Sequence, residues 1–262
     1  MYLVVENSER AKALLPIHVV TVGADFHQPP SRRPSGAPFH HIFFVDRGVG
    51  RFRTDAGEVQ LGEGSAIFMQ KGHPVYYEGV TDDFRTGWVT FDGAGVLDLL
   101  ACFDAAPFSY RSDTPVRELH RACVRSAERN ASPEVLSKLC YDLVMTYFLS
   151  LREEQQSSRL TAAKTYIEQN YRTDLSVADA ARAAGVSESL LYRLFREEGS
   201  TPVEYLRTLR LSHAKRLLLE SPKMPIAKIA AACGFSDSAY FCKVFRDREH
   251  MTPRRYRSMY IS

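Results

Sequence analysis

The chain has 262 residues, which is enough for two domains of ordinary size. Its five cysteines lack metal-ligand spacing, and its first residues do not resemble a secretion signal. No apolar stretch approaches the roughly 20 residues that span a bilayer. We therefore expect a cytoplasmic protein without a membrane partner. The net charge of +3 conceals an asymmetry, because residues 158–262 carry 18 Lys/Arg against 11 Asp/Glu whereas residues 1–157 carry 16 against 20.

The first part of the chain has the pattern of β-strands. Short apolar runs recur over residues 17–92 between Gly, Pro and Asp turns, for example at 40–45, 50–55, 65–70 and 85–91. Their spacing of about 8–12 residues is typical of a small β-barrel or sandwich. The sequence therefore predicts a β-barrel domain over residues 1–114.

A helical period replaces the strand pattern at Pro115. Residues 116–129 and 133–154 place apolar side chains three, four and seven positions apart. Residues 151–159 are polar and lack aromatic side chains, which predicts an exposed helix end that runs into a linker. An apolar stripe makes residues 115–157 a candidate dimerisation segment, although the same stripe could pack on the chain's own barrel. The stripe consists of Leu136, Leu139, Cys140, Leu143, Val144, Tyr147 and Phe148.

Residues 158–262 predict seven short helices with clear start and stop signals. Ser176 with Asp179 three positions later forms a capping pattern. Thr201 forms a second one, with a proline at the first helical position. Gly185 and Gly234 stand where a helix needs a left-handed residue to end. Further helices are expected to open at Pro225 and at Thr252-Pro253.

One sequence occurs twice in this region. "GVSESLLYRLFR" (185–196) and "GFSDSAYFCKVFR" (234–246) each follow a short Ala-rich helix, so each unit has the order helix, tight turn, helix. This is the pattern of a helix-turn-helix, whose second helix lies in the major groove of DNA. The charge asymmetry alone fits a solvated surface equally well. Two matching units on the basic segment favour DNA binding over a helical repeat that binds protein.

The C-terminal hundred residues resemble the DNA-binding domain of AraC/XylS-type bacterial transcription regulators, above all at residues 229–246 and 251–257. The resemblance implies an α+β fold with two domains. These are a cupin-like β-barrel with dimerisation helices and an all-α domain of seven helices with two helix-turn-helix motifs. The 19-residue stretch from Pro202 corresponds to the family's linker helix. At 1.5 Å per residue it spans about 28 Å and would set the recognition helices roughly one DNA turn apart.

The resemblance also implies DNA contacts on the second helix of each unit. Ser189, Tyr192 and Arg193 match the family's base-contacting positions in the first unit. We expect this unit to carry most of the direct base readout, because Arg193 can donate two hydrogen bonds to guanine. The second unit is expected to anchor the DNA backbone. The remaining expected DNA contacts are Arg196, Ser238, Ala239, Cys242, Lys243, Arg246, Arg254 and Arg255.

The N-terminal part resembles the ligand-binding barrel of the same family more loosely, at residues 39–78 and 87–93. By that resemblance Arg33, Tyr77 and Trp88 fall on pocket positions of the arabinose-sensing member. Aromatic faces stack on sugar rings and arginine offers paired donors, so the set suits a carbohydrate. Alternatively, the two aromatic residues belong to the ordinary barrel core and the arginine is a solvated charge in a loop. Weaker candidates for the pocket are His18, Phe39, His40 and Thr86.

A cupin-type metal enzyme is the alternative from a different functional class. Its pattern requires a His-x-His pair, a carboxylate and a later histidine. Here His40 and His41 are adjacent, so they point to opposite faces of a strand, and Val75 stands where the later histidine is expected. We therefore expect no metal, no other cofactor and no catalytic residue.

The sequence thus predicts a non-enzymatic, DNA-binding transcription regulator. The expected partners are promoter DNA, a small-molecule effector, RNA polymerase and a second copy of the chain. We expect an activator whose effector is a sugar. A repressor or a ligand-independent regulator of the same family is the alternative within this class.

Overall fold

The structure is a computed structural model that describes residues 1–260. The chain divides into two compact units, the first ending at Glu153 and the second beginning at Glu154. The first unit is rich in strands and the second is helical, which confirms the predicted α+β fold with two domains. Within the described residues, no helix is both long and apolar enough to cross a membrane.

The strands of the first unit form two antiparallel sheets, with the orders β1-β2-β9-β4-β7-β10 and β3-β8-β5-β6. Inward-facing side chains of both sheets, such as Phe43, Phe52 and Leu61, make a shared core. The predicted strand runs lie in β4, β5, β7 and β9. The strands are β1 (Tyr2–Val4), β2 (His18–His27), β3 (Ser31–Arg33), β4 (His40–Arg47), β5 (Val49–Thr54), β6 (Gly57–Gly62), β7 (Ala66–Met69), β8 (Val75–Gly79), β9 (Arg85–Asp92) and β10 (Phe108–Arg111).

Helices cover the outer face of the six-stranded sheet. They are α2 (Val96–Ala101), α3 (Arg117–Glu128) and the first part of α4 (Pro133–Asn170), and a short helix, α1 (Glu9–Leu14), lies between β1 and β2 in the chain. The hydroxyl of Tyr147 on α4 donates to the carbonyl of Ser109 (2.8 Å) and accepts from the backbone N–H of Phe68 (3.2 Å). These bonds fix the helix on the sheet.

The apolar stripe from Leu136 to Phe148 faces this sheet and is not available for dimerisation. Six of its seven residues are buried in the core beneath α4, and Leu139 is partly buried there. The outer face of the sheet presents Ile42, Phe44 and Phe68, and the stripe covers this apolar surface. The stripe therefore packs on the chain's own barrel, which is the second of the two alternatives given above.

The predicted linker at residues 151–159 is helical. The helix α4 continues through it without interruption. The segment contains neither glycine nor proline, and Leu, Arg, Glu and Gln are good helix formers, so nothing local ends the helix there.

The second unit consists of the end of α4 and six further helices. Ser176 accepts a hydrogen bond from the backbone N–H of Asp179, whose carboxylate accepts from the Ser176 N–H, so the predicted capping box is present. The hydroxyl of Thr201 accepts from the backbone N–H of Glu204 and caps the long central helix, with Pro202 at its first position. The helices are α5 (Val177–Ala183), α6 (Glu188–Glu197), α7 (Pro202–Glu220), α8 (Ile226–Ala232), α9 (Ser238–Glu249) and α10 (Pro253–Tyr260).

Each helix-turn-helix has its own apolar core. The first core combines Leu160, Ala163 and Ile167 of α4 with apolar residues of α5 and α6. The second combines one face of α7 with apolar residues of α8 and α9. Gly185 and Gly234 adopt positive φ angles of 64° and 84°, as their positions at the turns predict.

Candidate ligand cavity and DNA-binding surface

A cavity of about 410 Å³ lies in the first unit, between the ends of strands from both sheets. Its volume is in the range of sites that hold small molecules. Aromatic rings and a few polar groups line it. The aromatic lining comprises Tyr2, Phe26, Phe39, Phe43, Tyr77 and Trp88, and the polar lining comprises Thr21, Gln28, Ser31, Arg33, His41 and Thr90.

Trp88 is held in place by its neighbours. The alternation of β9 points it inward, where its indole Nε1 donates to the hydroxyl oxygen of Thr21 (3.0 Å). The Thr21 hydroxyl also lies 2.7 Å from that of Thr90. The ring is parallel to Phe43 at 6.3 Å and meets the edge of Phe26 at 5.3 Å. This wall of the cavity is therefore fixed before any ligand enters.

Arg33 enters the cavity from β3, the edge strand of the smaller sheet. The pairing of β3 with β8 sets Arg33 opposite Val75 and Ser31 opposite Tyr77. The side chain of Arg33 makes no hydrogen bond or ion pair with any residue in the range 1–260. Arg51 on β5, by contrast, is paired with Glu58 and Glu78. The guanidinium of Arg33 is thus available to a ligand.

The histidine in the cavity is His41, and the choice of His40 from the sequence is corrected. The registers of β4 with β7 and β9 place His41 on the inner face with Phe43. His40 points to the outer face, where it is fully buried and its ring is parallel to those of Phe68 (6.2 Å) and Phe91 (5.6 Å). The pairing of neighbouring strands decides which of two adjacent residues faces inward.

His41 is neutral at pH 7. Burial, together with the positive charge of Arg33, lowers its pKa to about 4. Its Nδ1 lies 2.9 Å from the carbonyl oxygen of Phe39, which requires the proton on Nδ1. The Nε2 lone pair is then left as a hydrogen-bond acceptor.

The other weaker candidates for the pocket differ in whether they reach the cavity. Phe39 lines the cavity, whereas Thr86 and His18 do not. Thr86 is buried behind the lining, and its hydroxyl donates to the side-chain oxygen of Gln28 (3.2 Å). Thr86 is therefore a supporting residue, and the assignment of it to the pocket lining is corrected.

Several lining residues were missed in the sequence. Thr90 follows Trp88 by two positions and so shares its face, a signal that was present. Thr21, Phe26 and Gln28 lie on or just after β2, whose pairing with β9 is long-range and is not apparent from the local pattern.

No group of three or more His, Cys, Asp or Glu side chains that could hold a metal ion occurs in the described part of the chain. The adjacent histidines on β4 lie on opposite faces of the sheet. The polar groups that line the cavity are hydroxyls, an amide, an imidazole and one guanidinium.

The second candidate site is the exposed side of the two recognition helices, α6 and α9. Each helix is capped at its start, by the side chains of Ser187 and Asp237 respectively. Each buries one apolar face, represented by Leu194 and Phe195 in α6 and by Phe245 in α9. The opposite side of each helix is left to solvent.

The predicted DNA contacts lie on these solvent-facing sides and on the first turn of α10. Tyr192 and Cys242 are half-buried and the other nine are exposed. Six of them are cations that make no side-chain hydrogen bond or ion pair to any described residue. These six are Arg193, Arg196, Lys243, Arg246, Arg254 and Arg255. Elsewhere in the unit, Lys164 pairs with Glu198, and Lys215 pairs with Glu249 at 3.0 Å.

The two helices differ at their exits. The first unit ends α6 at Glu197 and turns at Gly199, with φ +74°. The second extends α9 to Glu249 and turns at His250, with φ +58°. Phe245 is one position further from its following Thr-Pro pair than Phe195 is, and the longer α9 contains the additional residue.

Comparison with known proteins matches both units. Residues 18–144 match the AraC-like ligand binding domain, and residues 180–259 match a helix-turn-helix domain. The lactose operon transcription activator of Staphylococcus xylosus is 25% identical over 231 residues, which are 82% of each chain. The Msm operon regulatory protein of Streptococcus mutans is 26% identical over 82% of this chain and 83% of its own length.

A third relative matches the helical unit alone. The HTH-type transcriptional activator RhaR of Yersinia pseudotuberculosis is 41% identical over 96 residues, which are 36% of this chain and 33% of that protein. A ligand-binding domain of AraC type thus precedes a helix-turn-helix domain in one chain, and the relatives are regulators of transcription. The protein belongs to the AraC family of transcriptional regulators.

Proposed function

We propose that the protein activates transcription in response to a carbohydrate bound in the cavity of its barrel. One observation carries the proposal. The same chain contains an aromatic-lined cavity with an unpaired guanidinium and two recognition helices with unpaired cations on their exposed sides. Aromatic faces pack against the C–H faces of sugar rings, and arginine and histidine supply hydrogen bonds to hydroxyls. The ligand contacts we propose are Arg33, His41, Tyr77 and Trp88.

The names of two relatives support the finer parts of this proposal. One is a lactose operon transcription activator, which favours both a sugar and activation. The other is named a transcriptional activator. We propose that this protein likewise recruits RNA polymerase at a promoter in the cytoplasm.

We propose that each segment predicted from the sequence has its own role. Residues 1–114 sense the effector, residues 115–157 contribute to dimerisation, and residues 158–262 bind DNA. Because the buried stripe of α4 is occupied, we propose that a homodimer forms through its exposed side, which carries Val135, Tyr141 and Leu149. Sedimentation analysis of the full chain and of a Tyr141→Glu, Leu149→Glu variant tests this assignment.

The function is tested by thermal shift of the full-length protein against mono- and disaccharides. Ligand at 100 times its dissociation constant adds about 2.7 kcal/mol of stability, so a binding sugar is readily detected. The binding sugar is then added to transcription reactions with RNA polymerase and DNA from upstream of the protein's own operon. Increased transcript supports an activator, decreased transcript indicates a repressor, and no binding by any sugar contradicts carbohydrate sensing.

A further inference from the structure

The charge of the cavity is unbalanced. Arg33 is the one permanently charged side chain among the described residues that line it, and no aspartate or glutamate belongs to the lining. Arginines elsewhere in the same unit have acidic partners, as in the pairs Arg117 with Asp46 (3.0 Å) and Arg53 with Glu58 (2.5 Å). A partly buried guanidinium with no counter-charge is best satisfied by an anion.

Several other polar groups of the cavity are bonded within the protein. The Trp88 indole N–H and the hydroxyls of Thr21 and Thr90 form a connected network. The side chain of Gln28 accepts from Thr86 and donates to the carbonyl of Pro29 (2.9 Å). The lining hydroxyls outside these two networks belong to Tyr2, Ser31 and Tyr77 and are neutral, so the strongest donor in the cavity is Arg33.

His41 reinforces this arrangement without adding charge. Because its Nδ1 proton is committed to the Phe39 carbonyl, its Nε2 presents a lone pair. A lone pair accepts a hydrogen bond from a hydroxyl and offers nothing to a carboxylate. The cavity thus provides one cationic group for an anion and a separate acceptor for a neutral donor group.

We infer that the effector is an anionic carbohydrate, a sugar acid whose carboxylate pairs with Arg33 and whose hydroxyl donates to Nε2 of His41. The inference rests on the carbohydrate-sensing function proposed above and specifies its ligand class. A carboxylate matches the planar guanidinium in a bidentate, charge-assisted contact that the corresponding neutral sugar lacks. The aromatic lining accommodates the ring that both kinds of sugar share.

The test compares sugars that differ only in the carboxylate. Binding of glucose and glucuronate, of galactose and galacturonate, and of mannose and mannuronate to the full-length protein is measured by calorimetry at pH 7. At least one acid is expected to bind ten times or more tightly than its neutral counterpart. Its affinity should fall as sodium chloride is raised from 50 to 500 mM, because added salt screens the ion pair.

Two neighbouring arginines provide the matched variants. Arg33→Gln should abolish the preference for the acid, whereas Arg32→Gln should keep it, since Arg32 is exposed and does not line the cavity. Arg33 makes no intramolecular side-chain bond to residues 1–260, so the melting temperature of the unliganded Arg33→Gln protein should equal that of the wild type.

The outcomes separate the two claims. If sugars bind but no acid binds more tightly than its neutral counterpart, or if Arg33→Gln keeps the preference, the anionic effector is refuted while carbohydrate sensing stands. If no sugar of either kind binds, carbohydrate sensing is refuted and the inference falls with it.

Discussion

At the scale of single residues, two buried histidines differ in whether their nitrogens have hydrogen-bond partners. His40 lies between aromatic rings, and neither nitrogen has a partner among the described residues. His120 is buried on the same side of the sheet, but its Nε2 lies 2.8 Å from the carbonyl oxygen of Gly23 and its ring stacks on Phe44 at 4.3 Å. A buried polar atom without a partner costs stability, whereas a bonded one does not.

We therefore predict opposite effects of the same substitution. His40→Phe should raise the free energy of unfolding by about 1–2 kcal/mol at pH 7, because it removes two unsatisfied nitrogens from an aromatic environment. His120→Phe should lower it by about 1–3 kcal/mol, because the Gly23 carbonyl loses its donor. Urea unfolding of both variants measures the change. Destabilisation by His40→Phe would show that His40 has a partner that the structure does not reveal.

The buried imidazole of His40 also makes the stability of the wild type depend on pH. Burial lowers the pKa of His40 to about 4, below the ordinary value of about 6.5 in the unfolded chain. Between these values the unfolded chain binds a proton that the folded protein does not, so stability falls as the pH falls through this window. His40→Phe lacks this loss, and its advantage over the wild type should grow by about 1–2 kcal/mol between pH 7 and pH 5. A constant difference would contradict the assigned pKa.

At the scale of secondary-structure elements, the two repeated turns place different demands on their glycines. Both have positive φ, which any other residue adopts at a cost. A Cβ on Gly185 would meet open space, but one on Gly234 would lie 2.3 Å from the carbonyl oxygen of Tyr171. That carbonyl is itself held by the guanidinium of Arg210 at 2.7 Å and cannot move freely.

Alanine at the two glycines should consequently have unequal effects. Gly185→Ala is expected to cost about 1 kcal/mol of stability, from the backbone conformation alone. Gly234→Ala should cost about 3 kcal/mol or more, because the clash adds to the same backbone cost. Thermal unfolding of the two variants provides the comparison, and equal losses would show that the second turn relaxes without penalty.

The recognition helices give a prediction about DNA. Arg193→Ala should flatten base preference at a few positions in one half of the binding site, at about 1–3 kcal/mol, because a bidentate contact to guanine is lost. Arg246→Ala should weaken all sequences alike and reduce the salt slope by about one unit, as expected for a phosphate contact. Titration against a randomised site at two salt concentrations distinguishes these results. A sequence-selective loss from Arg246→Ala would reverse the assigned roles.

The helical unit was predictable because its signals are local. The capping residues Ser176 and Thr201 and the glycines of the two turns act within a few positions of themselves. The helices begin and end at the positions that these residues predict. The cavity was predictable only in part. Arg33, Tyr77 and Trp88 line it as expected. The choice between His40 and His41 depends on which face of β4 turns inward, and that is set by the long-range pairing of β4 with β7 and β9.

At the scale of the whole molecule, the four apolar cores never mix residues from the two units. Those of the barrel and its covering helices use residues up to Leu151, and those of the helix-turn-helix motifs begin at Leu160. Although α4 belongs to both units, its two parts contribute to different cores. A protein organised in this manner contains two separate sets of stabilising contacts, and cutting between them removes no core residue.

The last prediction is that the fragment of residues 154–262 folds by itself and binds the promoter, whereas the fragment of residues 171–262 does not fold its first helix-turn-helix. The shorter fragment lacks Leu160, Ala163 and Ile167, which are buried in the core of that motif, and removing buried side chains costs about 2–5 kcal/mol for each large one. Circular dichroism melts and DNA titrations compare the two. The longer fragment should bind more weakly than the full chain if dimerisation supplies effective concentration. An unfolded 154–262 fragment would mean that the helical unit depends on the barrel, and equal behaviour of the two fragments would mean that the end of α4 contributes nothing to the DNA-binding unit.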